Sequence, residues 1–377
     1  MIKTQEFYEA LYQNEIDFFT GVPDSLLKDI CSYITDNVSK EKHIISANEG
    51  GAVALAIGYH LATGKIPLVY MQNSGFGNTI NPLLSLADPK VYSIPLVLVI
   101  GWRGEPGLKD EPQHKKQGEI SEILLKTLDI PYIIISEKTQ KIDQVIFESV
   151  SHAKKNNKPF AILVRKGTFE PYSLKNKIIT NFDLSREDAI IKSSELLSDS
   201  DIVVATTGKT SRELFEFRSR NKQGHHRDFL TVGGMGHANQ IAIGIALALP
   251  NKTIYCFDGD GAVLMHTGSL GIIGDLSLDN FKHIIFNNGS HDSVGGQPTV
   301  GFDISFQNIA KSFNYNKVFR IEKLNDFDDI FMEFKHELGP CLLEIIVNKG
   351  ARNDLGRPTI SPKDNKKDFQ IFLRENE

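Results

Sequence analysis

Residues Thr253–Gly261 read TIYCFDGDG and residues His283–Gly289 read HIIFNNG, with a helix-length stretch, Leu264–Leu276, between them. Each piece opens as a short apolar, β-branched run and ends in a polar turn. That is the pattern of a parallel strand buried on both faces and delivering its last residues to a sheet edge. Asp260 at the end of one strand and Asn288 at the end of the next then emerge together at the carboxyl edge, where open α/β sheets bind ligands. One carboxylate and one amide oxygen make a hard, sparse donor set. It suits Mg²⁺, which keeps water and takes its other oxygens from a phosphate. Gly259 and Gly261 let the backbone approach that phosphate closely. Either piece alone reads more readily as an ordinary Gly-Asp-Gly or Asn-Gly turn; the weight lies in their pairing.

Working outward, the same strand–helix alternation fills the chain. Further strands are expected at His43–Ala47, Ile66–Gln72, Ile94–Gly101, Pro131–Ser136 and Phe160–Val164 in the first half. Asp201–Thr206, Phe229–Val232, Lys317–Ile321 and Cys341–Asn348 join the opening pair in the second. Crossover helices such as Gly51–Thr63 fit between them, which makes an α/β architecture of parallel sheets. The pattern pauses in a polar stretch holding Pro171, Asn176 and Asn181. Two domains are therefore expected, 1–170 and 188–377, with a linker over 171–187. The charged end, Asp364 to Glu377, reads as a solvated tail in which one helical turn at Phe369–Leu373 is able to dock onto the body.

Composition removes several classes of function. With 41% hydrophobic and 24% charged residues over 377 positions, wholesale disorder is excluded. Lys plus Arg is 42 against 47 Asp plus Glu, a net −5 that argues against nucleic acid or an anionic membrane as partner. The longest apolar run, Ile94 to Trp102, is about half of what a membrane span needs. Met1 to Phe19 carries four acids and no apolar h-region, so no signal peptide is expected there. Three cysteines without metal or redox spacing suit a reducing, cytoplasmic setting. Nucleotide motifs fail: the P-loop-like Gly208-Lys209-Thr210 would need a glycine where Val203 stands. Three G-x-G pieces lack their third glycine, meeting Ile80, Asn239 and Leu264.

The GDG at 259–261 followed by Asn287-Asn288 resembles the motif of the thiamine-diphosphate enzymes. Two further matches stand in the right order. Asn48-Glu49-Gly50-Gly51-Ala52 follows a strand and opens a helix, the place of the family's cofactor-activating glutamate; alone, Glu49 reads as a first-turn acid favoured by the helix dipole. Gly233-Gly234-Met235-Gly236 precedes Asp260 by one strand, where the family sets a bulky apolar residue under the cofactor. The chain has no room for the middle domain of acetolactate synthases. Stretches such as Gly21–Ser25, Met71–Asn78, Gly101–Gly107, Asp110–His114, Thr207–Leu214 and His291–Gln297 look like the 3-phosphonopyruvate decarboxylases, from about Phe18 to Pro362. Sulfopyruvate decarboxylases share much of this.

The resemblance implies two thiamine-diphosphate-binding-fold domains, pyrimidine-binding then diphosphate-binding, each a mainly parallel sheet flanked by helices. It implies thiamine diphosphate and Mg²⁺ as cofactors and the reaction 3-phosphonopyruvate → phosphonoacetaldehyde + CO₂, in the biosynthesis of phosphonates such as 2-aminoethylphosphonate. The alternatives are the sulfopyruvate reaction and a two-domain, acetolactate-type carboligase. Glu49 would hydrogen-bond the aminopyrimidine N1′, with Gly208, Lys209, Thr210, Gly233, Met235, Gly259 and Gly261 also at the cofactor. Asp260, Asn288 and Ser290 would hold the metal. Asp24 and His114 are candidates for proton transfer, His114 reading equally as an exposed loop histidine. Arg103 and Lys109, with Asp24 and His291, are candidates for the substrate; Arg103 has the fork to grip two anion oxygens, although Glu105, Asp110 and Glu111 neutralise its loop. The family builds its site at a subunit interface, so a homodimer or larger assembly is expected.

Overall fold

The computed structural model describes residues 1–177 and 179–375. They form two compact units: residues 1–177 with Ser293–Gln297, and residues 179–292 with 298–375. Ile178, inside the expected linker, and the last two residues of the expected tail lie outside the described residues.

The first unit carries β1 (Phe19–Gly21), β2 (His43–Ile45), β3 (Leu68–Gln72), β4 (Val97–Gly101), β5 (Tyr132–Ile135) and β6 (Phe160–Val164). They make one parallel sheet in the order β2-β1-β3-β4-β6-β5. The second carries β7 (Ile202–Ala205), β8 (Asp228–Leu230), β9 (Ile254–Gly259), β10 (Phe281–Asn287), β11 (Lys317–Ile321) and β12 (Cys341–Ile346). Its parallel order is β11-β12-β10-β9-β7-β8. Uniformly apolar strands need cover on both faces, and they have it. In β4, Val97 and Val99 join one core while Leu98 and Ile100 join another; in β9, Tyr255 and Phe257 face opposite to Ile254 and Cys256.

Three features depart from the sequence reading. First, β1 was not among the expected strands: three residues, Phe-Thr-Gly, are too short for a periodic signal, yet they pair with both β2 and β3 in the sheet interior. Second, the expected linker is divided. Its first part is tied to the helix Lys28–Asn37, with the Tyr172 N–H donating to Asp29 at 3.0 Å and Lys175 N–H to Asp36 at 2.8 Å. Its second part joins the other unit, Phe182 N–H donating to Asn348 Oδ1 at 2.8 Å. Third, the charged end is no solvated tail. It is the helix Pro362–Glu375, whose buried Asn365 accepts from Leu230 N–H at 3.2 Å and donates to the Asp228 carbonyl at 2.9 Å. Those bonds cap β8, an edge strand whose backbone groups would otherwise lie open.

Among the described residues, no helix is long and apolar enough to cross a membrane.

Candidate active site

In the first unit the functional side chains gather where β1, β3 and β4 end. The helix Glu49–Thr63 begins there because Asn48 caps it, accepting from Gly51 N–H at 2.8 Å. Glu49, its first residue, is buried, and that burial raises its carboxyl pKa above the usual range. Asn78 Nδ2 donates to its Oε2 at 2.7 Å, the one hydrogen bond from another side chain that favours the ionised form. Gly75 makes room for it: a Cβ there would lie 2.0 Å from Glu49 Oε1. Gly75 and Asn78 share one 3₁₀ helix, Asn73–Thr79, which directly follows β3. Nothing local in Met71–Asn78 marks it as the cradle of Glu49, which lies more than twenty residues earlier in the chain.

Asp24 follows β1 and is fully buried. Burial pushes its carboxyl up to about 6, although Leu26 N–H donates to it and Arg103 stands nearby. Gly101 packs against it so closely that a Cβ there would sit 2.0 Å from Oδ2. Arg103 is connected to this group through Ser25, its Nη1 donating to Ser25 Oγ at 2.8 Å. The other edge of the guanidinium is already taken. Nε and Nη2 donate to Asp110 at 2.8 and 2.5 Å, and that pairing holds the Asp110 carboxyl well below the usual range. Arg103 therefore does not offer the open two-oxygen grip that its loop suggested; the donors turned away from Asp110 are the ones at Ser25. Asn73 locks the two regions together, donating to the Arg103 carbonyl at 2.8 Å and to Ser121 Oγ at 2.9 Å.

His114 corrects the loop alternative. It is buried in the first turn of the helix Pro112–Thr127, its carbonyl against Gly104. Lys109 is exposed on the loop before that helix.

In the second unit, Asp260 is the first residue of the helix Asp260–Met265, one step beyond β9 rather than its last residue. It is buried, and its carboxyl is pushed up to about 6 by desolvation. Thr299 Oγ1 and the Asn288 backbone N–H both donate to it, so Asp260 and Asn288 are neighbours as the strand argument required. Asn288 is buried too; its Oδ1 accepts from Ser290 N–H at 3.1 Å and its Nδ2 donates to Asp292 at 2.6 Å. Ser290, also buried, bridges to Pro298. Met235 and His291 meet over the Gly-Asp-Gly turn: a Cβ on Gly261 would touch Met235 Cε at 3.4 Å and His291 Cε1 at 3.2 Å. Burial lowers the His291 imidazole to about 4, so this ring is neutral at ordinary pH.

Gly233, three residues after β8, and Gly259, the last residue of β9, are half-buried at the carboxyl edge of the parallel sheet. Gly208 precedes the helix Lys209–Arg220 with φ +100, a conformation that glycine adopts readily. Lys209 is half-buried there, its amine pKa lowered by burial while Asp292 pulls the other way. Thr210 beside it is buried.

Among the described residues, one trio of histidine, cysteine and carboxylate has its donor atoms within 4.8 Å of one another: Cys256, Asp258 and His283. It lies inside the core and does not include Asp260. Asn78, Glu213 and Asp292, inside motif stretches but without a role there, and Thr299 and Arg186, outside them, complete the site. Each acts by holding another side chain, so only proximity in space reveals it.

The family model for the N-terminal TPP binding domain of thiamine pyrophosphate enzymes matches residues 3–125, and that for the C-terminal TPP binding domain matches residues 206–345. Phosphonopyruvate decarboxylase of Streptomyces viridochromogenes is 31% identical, covering 99% of this chain and 95% of its own. Phosphonopyruvate decarboxylase of Streptomyces hygroscopicus is 29% identical over 100% and 95%. Sulfopyruvate decarboxylase of Methanosarcina acetivorans is 27% identical over 98% and 97%. With both thiamine diphosphate-binding domains in the family's order and a full-length likeness above 30%, the chain belongs to the thiamine pyrophosphate enzymes, in the family of the phosphonopyruvate decarboxylases.

Proposed function

We propose that this chain decarboxylates 3-phosphonopyruvate to phosphonoacetaldehyde and CO₂, using thiamine diphosphate and Mg²⁺. The observation that carries the reading is Glu49: a buried carboxyl, with its pKa raised, held by Asn78 and packed so closely against Gly75 that a Cβ there would displace it. A buried carboxyl whose pKa is raised is suited to share a proton with a ring nitrogen. The second unit fits the rest of the cofactor. Asp260 is a buried carboxylate whose charge a cation would stabilise, and the Asn288 amide and Ser290 beside it are the oxygen donors that Mg²⁺ takes. Gly208, Lys209 and Thr210 at the start of a helix would hold the diphosphate, Gly259 and Gly261 would let the backbone approach its phosphates, and Gly233 and Met235 would lie under the cofactor rings. When bound, thiamine diphosphate supplies an electron sink for the pair left on carbon when CO₂ departs.

The chain's own residues then have these tasks. The bond between C1 and C2 of the 2-oxo acid breaks, and C2 must gain a proton before the aldehyde leaves. Asp24, its carboxyl lifted to about 6, is close enough to neutral to exchange that proton, and His114 is the second candidate. Arg103 recognises the phosphonate through the Nη1 edge that faces Ser25, while Asp110 keeps the guanidinium oriented. Lys109 and His291 are assigned to the substrate with it. The pyrimidine half of the site is carried on residues 1–170 and the diphosphate half on 188–377. We place the enzyme in the cytoplasm as a homodimer or larger assembly whose sites combine halves from two subunits, which light scattering tests.

The deciding experiment measures CO₂ release with phosphonopyruvate, sulfopyruvate and pyruvate side by side, with and without thiamine diphosphate and Mg²⁺. Cofactor-dependent turnover that prefers phosphonopyruvate is expected. A preference for sulfopyruvate would move the substrate and leave the cofactor residues in place; no turnover on any of the three would overturn the reading.

A further inference from the structure

Beside Asn288 the second unit buries an ion network that the reaction does not itself require. Arg186 stands at the first position of the helix Arg186–Glu195, placed there by a reciprocal capping box between Ser185 and Asp188. Its Nε and Nη2 donate to Glu213 at 2.8 and 2.9 Å, and its Nη1 donates to Asp292 at 3.1 Å. All three side chains are at least nine-tenths buried. The Oδ2 atom of Asp292 that receives Arg186 also receives Gly350 N–H at 3.0 Å and Asn288 Nδ2 at 2.6 Å. Lys209 and Lys349 face the same carboxylate. Taking two carboxylates and a guanidinium out of water is costly, and well-packed apolar residues of similar volume are often no worse for stability. Such a network is better explained by what it positions than by what it stabilises.

What it positions is an amide. An ionised carboxylate accepts and cannot donate, so the group that Asn288 turns toward Asp292 must be its NH₂. The oxygen is thereby turned the other way, toward Ser290 N–H, and retains a second lone pair. We propose that Asp292, held in place by Arg186 and Glu213, is a positioning residue that fixes the Asn288 amide with its oxygen toward the divalent cation. This rests on the reading above that Asn288 and Asp260 hold Mg²⁺. Metal ligands are commonly oriented by such outer partners, whose loss costs 10–100-fold in affinity.

The test uses Mn²⁺ in place of Mg²⁺ and reads free Mn²⁺ by electron paramagnetic resonance, titrating the full chain with thiamine diphosphate present. Asp292→Ala, and Asp292→Ser as a milder variant that folds if the first does not, should weaken Mn²⁺ binding by about 10–100-fold. Asp292→Asn keeps an oxygen acceptor at that point and should bind Mn²⁺ within about threefold of the unaltered chain, a rescue expected from amide geometry. Folded Ala and Ser variants with unchanged Mn²⁺ affinity would overturn the proposal, as would an Asn variant as weak as Ala. Asn288→Ala separates the two levels. If it leaves Mn²⁺ binding intact, the cation reading itself falls; if it abolishes binding while Asp292→Ala does not, only the positioning role falls.

Discussion

Asp24 is the residue whose structure makes the sharpest quantitative demand. It is fully buried, and desolvation outweighs the Leu26 N–H bond and the nearby Arg103, lifting its carboxyl from 3.8 to about 6. Because the folded value exceeds the unfolded one, its favourable contribution is fully present below pH 3.8 and is lost as pH rises through about 6. Above that, the folded chain carries an ionised group it would rather protonate, a penalty of about 3 kcal/mol. Asp24→Asn removes the charge and keeps an oxygen for Leu26 N–H. The variant should therefore be more stable than the unaltered chain by about 3 kcal/mol near pH 8, with the advantage shrinking toward zero near pH 4. For a unit of this size that is about 6–12 °C in the melting temperature of the first unit. Differential scanning calorimetry across that pH range, on both proteins, measures it. Turnover should fall by about 10²–10⁴-fold in the same variant, because the proton source is gone. A stability difference that is independent of pH, or one of opposite sign, would refute the reasoning: Arg103 would then be compensating the buried charge more than burial opposes it.

Glu49→Gln should lower turnover by about 10²–10⁴-fold in a steady-state assay; full retention would remove Glu49 from the chemistry. Gly75→Ala places a methyl 2.0 Å from Glu49 Oε1, so the carboxyl must move; a loss of about 10²-fold in kcat is expected while circular dichroism stays unchanged. Chelation with EDTA should abolish CO₂ release and added Mg²⁺ or Mn²⁺ should restore it, whereas Asp260→Asn should stay inactive at any metal concentration tested.

The sequence by itself determined the α/β class, because apolar runs without alternation demand sheets covered on both faces, and the cores on either side of β4 and β9 meet that demand. It also placed Asp260 beside Asn288, since consecutive parallel strands deliver their ends to one edge. Motifs local in sequence, the Gly-Asp-Gly turn and the helix opened at Asn48-Glu49, were legible for the same reason: their geometry is set within a few residues. What only the tertiary structure decided is long-range. β1 is strand because β2 and β3 flank it, and the expected turn at Phe369–Leu373 extends into a full helix whose Asn365 docks on the backbone of β8. The occupation of Arg103 by Asp110, the cradle of Gly75 and Asn78 around Glu49, and the burial of His114 follow from chain segments meeting in space. Composition and spacing carry no record of which charge lies against which. A pKa, a hydrogen-bond partner or a closed approach depends on the atoms within a few ångströms, and folding alone selects those atoms.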